Sequence, residues 1–225
     1  MAQQALRIAA THARLPGEAK REAGGLYDTR FRRLLGQSEW ASLPAAIRRR
    51  FSKRIAGEKV AIYPGVIRAA RFSRWGSALA QLCRVIGAPL PLERACGLPA
   101  AVSVSEDHQG AGQFWTRVYG RSYGFPQVIH SAKRFAGPTG LEEHIGHGVG
   151  MALSLHVRPD ALEFRSDHYF VTLLGRRVRL PRWLSPGETI VIHRHVDEAS
   201  FEFSLALRHP LLGELIYQEG LFRDV

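Results

Sequence analysis

From residue 188 onward the chain holds three period-two segments in succession, and this constrains the fold more than any other feature. Phe201, Phe203, Leu205 and Leu207 alternate with Glu202, Ser204 and Arg208. Before them, Ile190, Ile192 and Val196 alternate with Thr189, Val191, His193 and His195; after them, Leu215, Tyr217 and Leu221 lie opposite Glu214 and Gln218. Successive side chains on a strand point to opposite faces, so such segments, separated by short Gly, Pro and Asp turns, predict antiparallel sheet.

The pattern extends upstream. Residues 101–106, 113–119, 127–135, 149–157, 161–165 and 169–174 read as strands, with an earlier one at 59–63 broken by Pro64-Gly65. Arg158-Pro159-Asp160 is a tight-turn signal, and Tyr119-Gly120-Arg121-Ser122 can join two strands. Short strands at regular spacing predict a mainly β fold, an antiparallel barrel or strongly curved sheet of about nine or ten strands rather than βαβ units. Residues 1–25 read as a tail and 26–225 as a single mainly β domain.

Helices precede and interrupt the sheet. Asp28 or Thr29 can cap a short helix through Leu35, stopped by Gly36. Pro44 opens a second, with Ile47 and Phe51 on one face and Arg48, Arg49 and Arg50 near its end. Ser73 to Ile86 is amphipathic, with Trp75, Leu79, Leu82 and Ile86 at helical spacing, and is expected to pack on or across the barrel.

Charge is uneven. The net is +11, and residues 1–54 hold 12 Lys/Arg against 4 Asp/Glu, whereas residues 55–225 hold 19 against 16. The basic N-terminal segment is a candidate contact for an anionic membrane or nucleic acid, or a solvated helical surface. Two cysteines, Cys83 and Cys96, form no disulfide framework. No apolar run reaches the roughly 20 residues of a membrane-spanning helix, and no secretory signal is visible. The expectation is a cytoplasmic protein, with peripheral membrane contact left open.

The chemistry-bearing residues are sparse. On 113–119 one face carries Trp115, Arg117 and Tyr119, either the lining of a wet aromatic cavity or an outer surface where Arg packs across aromatics. His193-x-His195 places two imidazoles on one strand face. Gly187, His193, His195 and Glu198 approach the first cupin motif, but Glu198 comes one residue early and no second motif follows, so no metal is expected. No nucleophile elbow, phosphate loop or dinucleotide fingerprint is present, and no cofactor is expected.

Three functions stand. The first is binding of an apolar or amphipathic small molecule inside the barrel. Trp115, Met151, Tyr169, Phe201 and Phe203 would form its walls, with Arg117, His193, His209 and Gln218 as polar groups; a filled core is the plain alternative. The second is a metal-independent isomerase, cyclase or hydrolase using His193 or His209 with Glu143 as acid and base. The third is an interaction domain docking through the basic N-terminal segment.

Gly140-Leu141-Glu142-Glu143-His144-Ile145-Gly146, Gly150-Met151, Phe164-Arg165-Ser166-Asp167 and Tyr169 form an ordered series. It continues through Leu180-Pro181-Arg182-Trp183-Leu184-Ser185-Pro186-Gly187, His193, Phe201-x-Phe203, His209-Pro210-x-x-Gly213-Glu214, Gln218 and Phe222. Phe31–Leu35, Leu43-Pro44 and Trp115-x-Arg117 extend it toward the N-terminus. Over roughly residues 26–225 the chain resembles a bacterial domain family of unknown function, found alone or behind a saccharopine-dehydrogenase-like, nucleotide-binding domain. The resemblance implies an oxidoreductase-like partner protein. It brings no catalytic residues, and without a Gly-x-Gly-x-x-Gly this chain gains no dinucleotide site from it.

Overall fold

The alternation around Phe201 becomes the wall of a closed barrel. The computed structural model describes residues 27–57, 59–85, 87 and 90–224. The tail reading of residues 1–25 therefore lies outside the described residues. The strands are β1 (Ala61–Phe72), β2 (Pro99–Asp107), β3 (Gly112–Tyr119), β4 (Gln127–Arg134), β5 (Glu142–Gly146) and β6 (Val149–Arg158). They continue as β7 (Ala161–Leu173), β8 (Arg176–Arg179), β9 (Glu188–His195), β10 (Ser200–His209) and β11 (Gly213–Arg223). Neighbours around the sheet run β6, β5, β4, β3, β2, β1, β11, β10, β9, β7, and β7 pairs back onto β6.

Ten antiparallel strands thus close, and β8 remains outside. β7 makes both arrangements possible through its 13 residues. Its first half pairs with β9 from Ala161↔Arg194 to Arg165↔Ile190. Its second half pairs with β8 from Phe170↔Arg179 to Leu173↔Arg176. The opposite edge of β7 runs along β6 from Val149↔Val171 to Arg158↔Ala161. Closure leaves these ten strands little free edge, chiefly residues 127–131 of β4, since β5 pairs only with Ala132 to Arg134.

Three short helices occupy one end of the barrel: α1 (Arg30–Leu35), α2 (Gln37–Ser42) and α3 (Ala45–Phe51). Phe31, Trp40, Leu43, Ile47 and Phe51 are buried and share one core with the barrel residues Phe164, Phe201 and Phe222. Each such side chain contributes about 1.5–3 kcal/mol through burial, so this end is a plug of core rather than a loose cover. Ion pairs fasten it: Arg50 and Lys53 to Asp224, and Arg49 to Glu198 at 2.6 Å. Asp28 accepts the Arg30 backbone N–H at 3.0 Å and so serves the first turn of α1, while Thr29 makes no capping bond.

The other end carries α4 (Arg74–Val85) and the connections 90–98, 120–126, 174–187 and 210–212. Here the helix face differs from the sequence reading. Trp75 and Leu82 are exposed, and Gly76 and Ala80 face the barrel. The reason is distance. A Cβ on Gly76 would overlap the Leu215 carbonyl, so only small residues let α4 lie this close to β11. Leu79 packs at the edge of this contact, against a second small core built on Ala80, Leu207, Leu215 and Ile216. Ile86 lies outside the described residues.

Other expectations also change. The first strand does not break at Pro64-Gly65 but runs on to Phe72, because Gly65 leaves room for the Phe222 ring of the neighbouring strand. Residues 161–165 and 169–174 belong to one strand rather than two. On β11 the lumen side is Ile216, Gln218 and Phe222, while Leu215 is buried on the outer side beneath α4. β5 and β8 have no counterpart among the expected strands.

Candidate functional site

The lumen-facing residues of β10, Phe203, Leu205 and Leu207, fill only part of the barrel. Between them and the α4 end lies a cavity of ≈ 100 Å³. One water needs about 10–15 Å³ of such space, so the cavity exceeds a single water site. Its wall is mainly apolar, with Ile129, Ile145, Met151 and Val191 opposite Phe203 and Leu205, and Cys83, Leu90 and Pro91 at the α4 side.

Polar groups gather in one part of this wall. Arg117 on β3 donates to Ser131 Oγ at 3.0 Å and to Glu143 Oε1 at 3.2 Å. Ser131 donates to the same carboxylate oxygen at 2.6 Å, and Lys133 donates to Glu143 Oε2 at 2.8 Å. Nearby, the Tyr169 and Thr189 hydroxyls lie 2.5 Å apart. The three strands that supply the cluster are adjacent, and their register explains it. Trp115 sits opposite Ser131 and Gln113 opposite Lys133, while Lys133 pairs with Glu143 on β5. Alternate residues of β3 and β4 therefore enter the lumen together.

Burial alone would raise the Glu143 carboxyl; Lys133 and Arg117, with hydrogen bonds from Lys133 and Ser131, outweigh it and hold the group at about 2. Burial lowers Lys133, and Glu143 offsets part of that fall. Arg117 and Lys133 thus share one buried carboxylate. Burial pushes the Tyr169 phenol up to about 12, so it remains an O–H donor at neutral pH.

Deeper, toward the α1–α3 plug, His193 is enclosed by rings. Phe51, Trp115, Phe164 and Phe203 meet it edge-on at 5.1–5.8 Å between centroids, and Phe201 stacks at 6.0 Å. Neither imidazole nitrogen has a hydrogen-bond partner among the described residues. Burial, with the nearby Arg50 charge, drives its pKa well below the ordinary histidine value, so it is neutral. Gln218 lies on the same lumen wall with Oε1 unpaired. Arg50 stacks on Phe201 at 3.7 Å.

A family model described as Domain of unknown function (DUF4166) matches residues 43–222. The chain belongs to this family. Comparison with curated proteins and with solved structures found no match.

In this DUF4166 domain Arg117, Glu143, Met151, Tyr169 and Phe203 line one cavity. Trp115, His193, Phe201 and Gln218 are buried in the lumen but do not line that cavity. His209 is elsewhere. It sits at the outer end of β10, where its Nδ1 accepts the Leu211 backbone N–H at 3.2 Å, and it borders an external depression with Asp167, His168 and Arg182. Of the two histidines paired with Glu143 in the sequence reading, His209 thus lies apart from it, while His193 shares the lumen with it but makes no hydrogen bond to it. Among the described residues no group of three or more His, Cys, Asp or Glu is placed to hold a metal ion.

Lys133, Ser131 and Thr189 escaped the sequence reading. Lys133 was legible in principle: once the hairpin turns at residues 120–126, an inward Trp115 and Arg117 require Ile129, Ser131 and Lys133 to point inward too. Burial raises the Cys83 thiol, which keeps it a neutral wall group. No helix among the described residues is long and apolar enough to cross a membrane.

Proposed function

We propose that this DUF4166 domain binds an amphipathic molecule with an anionic head and an apolar tail inside its barrel. One observation carries the reading: Arg117 and Lys133 share the single Glu143 carboxylate at the wall of an otherwise apolar cavity. The cluster keeps one positive charge in excess where desolvation magnifies it, and a ligand carboxylate, sulfonate or phosphate compensates it. Tyr169 adds a neutral donor. The apolar wall takes the start of the tail.

Small-molecule sites commonly occupy about 300–1,000 Å³, and the cavity alone is ≈ 100 Å³. The tail therefore continues outward. A groove of ≈ 570 Å³ adjoins the cavity, shares His130 with it and is bordered by Arg84, Arg121 and Phe125. It lies where β4 parts from β5, whose pairing covers only Ala132 to Arg134. A ligand spanning cavity and groove has its head at Arg117 and its tail near α4.

The test uses anilinonaphthalene sulfonate as a fluorescent anionic amphiphile, displaced by oleate or by oleyl alcohol. Oleate is expected to displace it more strongly than the alcohol. Arg117→Gln should weaken oleate by about tenfold to a hundredfold, the worth of a hydrogen bond to a charged group, and leave the alcohol nearly unchanged. Failure of both ligands to bind, or an oleate affinity indifferent to Arg117→Gln, overturns the reading.

A further inference from the structure

The connections at the α4 end have a composition unlike the rest of the barrel. The segment 73–98 carries Arg74, Arg84 and Arg94 against Glu93, and 120–126 carries Arg121 with no acid. The segment 174–187 carries Arg176, Arg177, Arg179 and Arg182, again with no acid. Residues 55–225 as a whole are close to balanced, 19 basic against 16 acidic, so this end concentrates the excess. Arg177 is engaged with Glu142, and Arg179 lies 3.9 Å from Asp167. No ion pair engages Arg74, Arg121, Arg176 or Arg182 among the described residues.

The same segments expose large apolar side chains at their tips. Phe125 is 91 % exposed, Leu211 88 % and Trp183 81 %, and Trp75, Leu82 and Val85 project from the outer face of α4. Isolated exposed apolar residues need no explanation. Here they come from four separate connections at the same end of the barrel, and most of the large apolar side chains exposed among the described residues lie at this end. The plugged end exposes few of them.

We infer that the α4 end of the barrel docks on an anionic lipid bilayer. Aromatic and aliphatic tips interleaved with arginines match a membrane interface: the rings and chains enter the acyl boundary while guanidinium groups meet anionic headgroups. Each basic residue near such a surface contributes, and the effect fades within a Debye length. Nucleic acid fits less well, since Leu211, Leu82 and Val85 offer no stacking plane and no phosphate donor. The surface goes beyond the ligand cavity and does not depend on it. Docking would also place the groove beside Arg84 and Phe125 at the level of the lipid tails.

Sedimentation of the full chain with vesicles of phosphatidylcholine alone, and of phosphatidylcholine with phosphatidylglycerol, tests this. Binding is expected only to the anionic vesicles and should fall as salt rises. Arg176→Gln with Arg182→Gln should weaken it about 30-fold. Trp183→Ser with Leu211→Ser should also weaken it and reduce the shift of tryptophan emission on vesicle addition, leaving only the part due to Trp75. All four positions are exposed, so folding is retained, which thermal melting of each variant verifies. Lack of binding to anionic vesicles, or binding that both double variants leave intact, overturns the inference. So does nucleic-acid binding abolished by the arginine variant in a protein that ignores vesicles. A dimer in solution that Trp183→Ser dissociates assigns the apolar tips to a second copy and likewise overturns it.

Discussion

Replacing Glu143 by Gln removes the one negative charge that two buried cations share. The carboxyl is held at about 2 against an ordinary value of 4.5, a difference that stabilises the folded protein by about 3 kcal/mol at neutral pH. Breaking a buried ion pair by removing one partner costs about 3–5 kcal/mol, and the two routes agree. Because the folded value is depressed, this contribution is complete above the unfolded value and is lost as pH falls from about 4.5 through about 2. Urea unfolding followed by tryptophan fluorescence reads it, and Trp115 lies 4.7 Å from the Lys133 ammonium. Wild type should exceed Glu143→Gln by about 3 kcal/mol at neutral pH, and the gap should close toward pH 2. Glu163 and Asp107, also depressed by arginine partners, are present in both proteins and cancel in the difference. Adding Lys133→Met to Glu143→Gln should recover much of the loss, since only Arg117 then stays uncompensated. A difference below about 1 kcal/mol, or one that does not change with pH, would refute a dry, charge-coupled cluster.

Two further changes test the packing around the cavity. Gly76→Leu must push α4 off β11 because its Cβ overlaps the Leu215 carbonyl; it should cost about 1–3 kcal/mol and speed dissociation of anilinonaphthalene sulfonate, measured by stopped flow. His193→Phe replaces two unpaired nitrogens inside a ring cage and should leave stability equal or raise it by about 1–2 kcal/mol in thermal melts. Its neutral imidazole loses stability for the wild type as pH drops below the ordinary value of 6.5, so the advantage of His193→Phe should grow toward acid.

What was legible in the sequence follows from which forces act locally. Phe201, Phe203, Leu205 and Leu207 alternate without exception because β10 lies between two full-length partners and faces a core throughout. β11 misled because its outer side is also covered: α4 buries Leu215, so apolar character no longer marks the lumen. The face of α4 misled for the same reason in reverse, since close approach selects Gly76 and Ala80 while Trp75 and Leu82 turn outward. β5 has five residues, two of them consecutive glutamates, and ends at a register shift, which leaves no period to count. Glu143, Arg117, Met151, Tyr169 and Phe203 were within reach because each is a chemically distinct residue on a strand. Lys133 was harder to reach, because its inward direction follows only after the β3–β4 hairpin register is worked out across a turn.

The plug has a consequence for how this domain sits among its neighbours. Asp28 is bonded to Ser52, and Asp224 to Lys53, so both limits of the described residues emerge from one face. That face is the plugged one, at the opposite end of the barrel from α4. A label attached close to residue 27 or 224 would therefore sit at the base of the barrel, a full strand length from α4 and its connections.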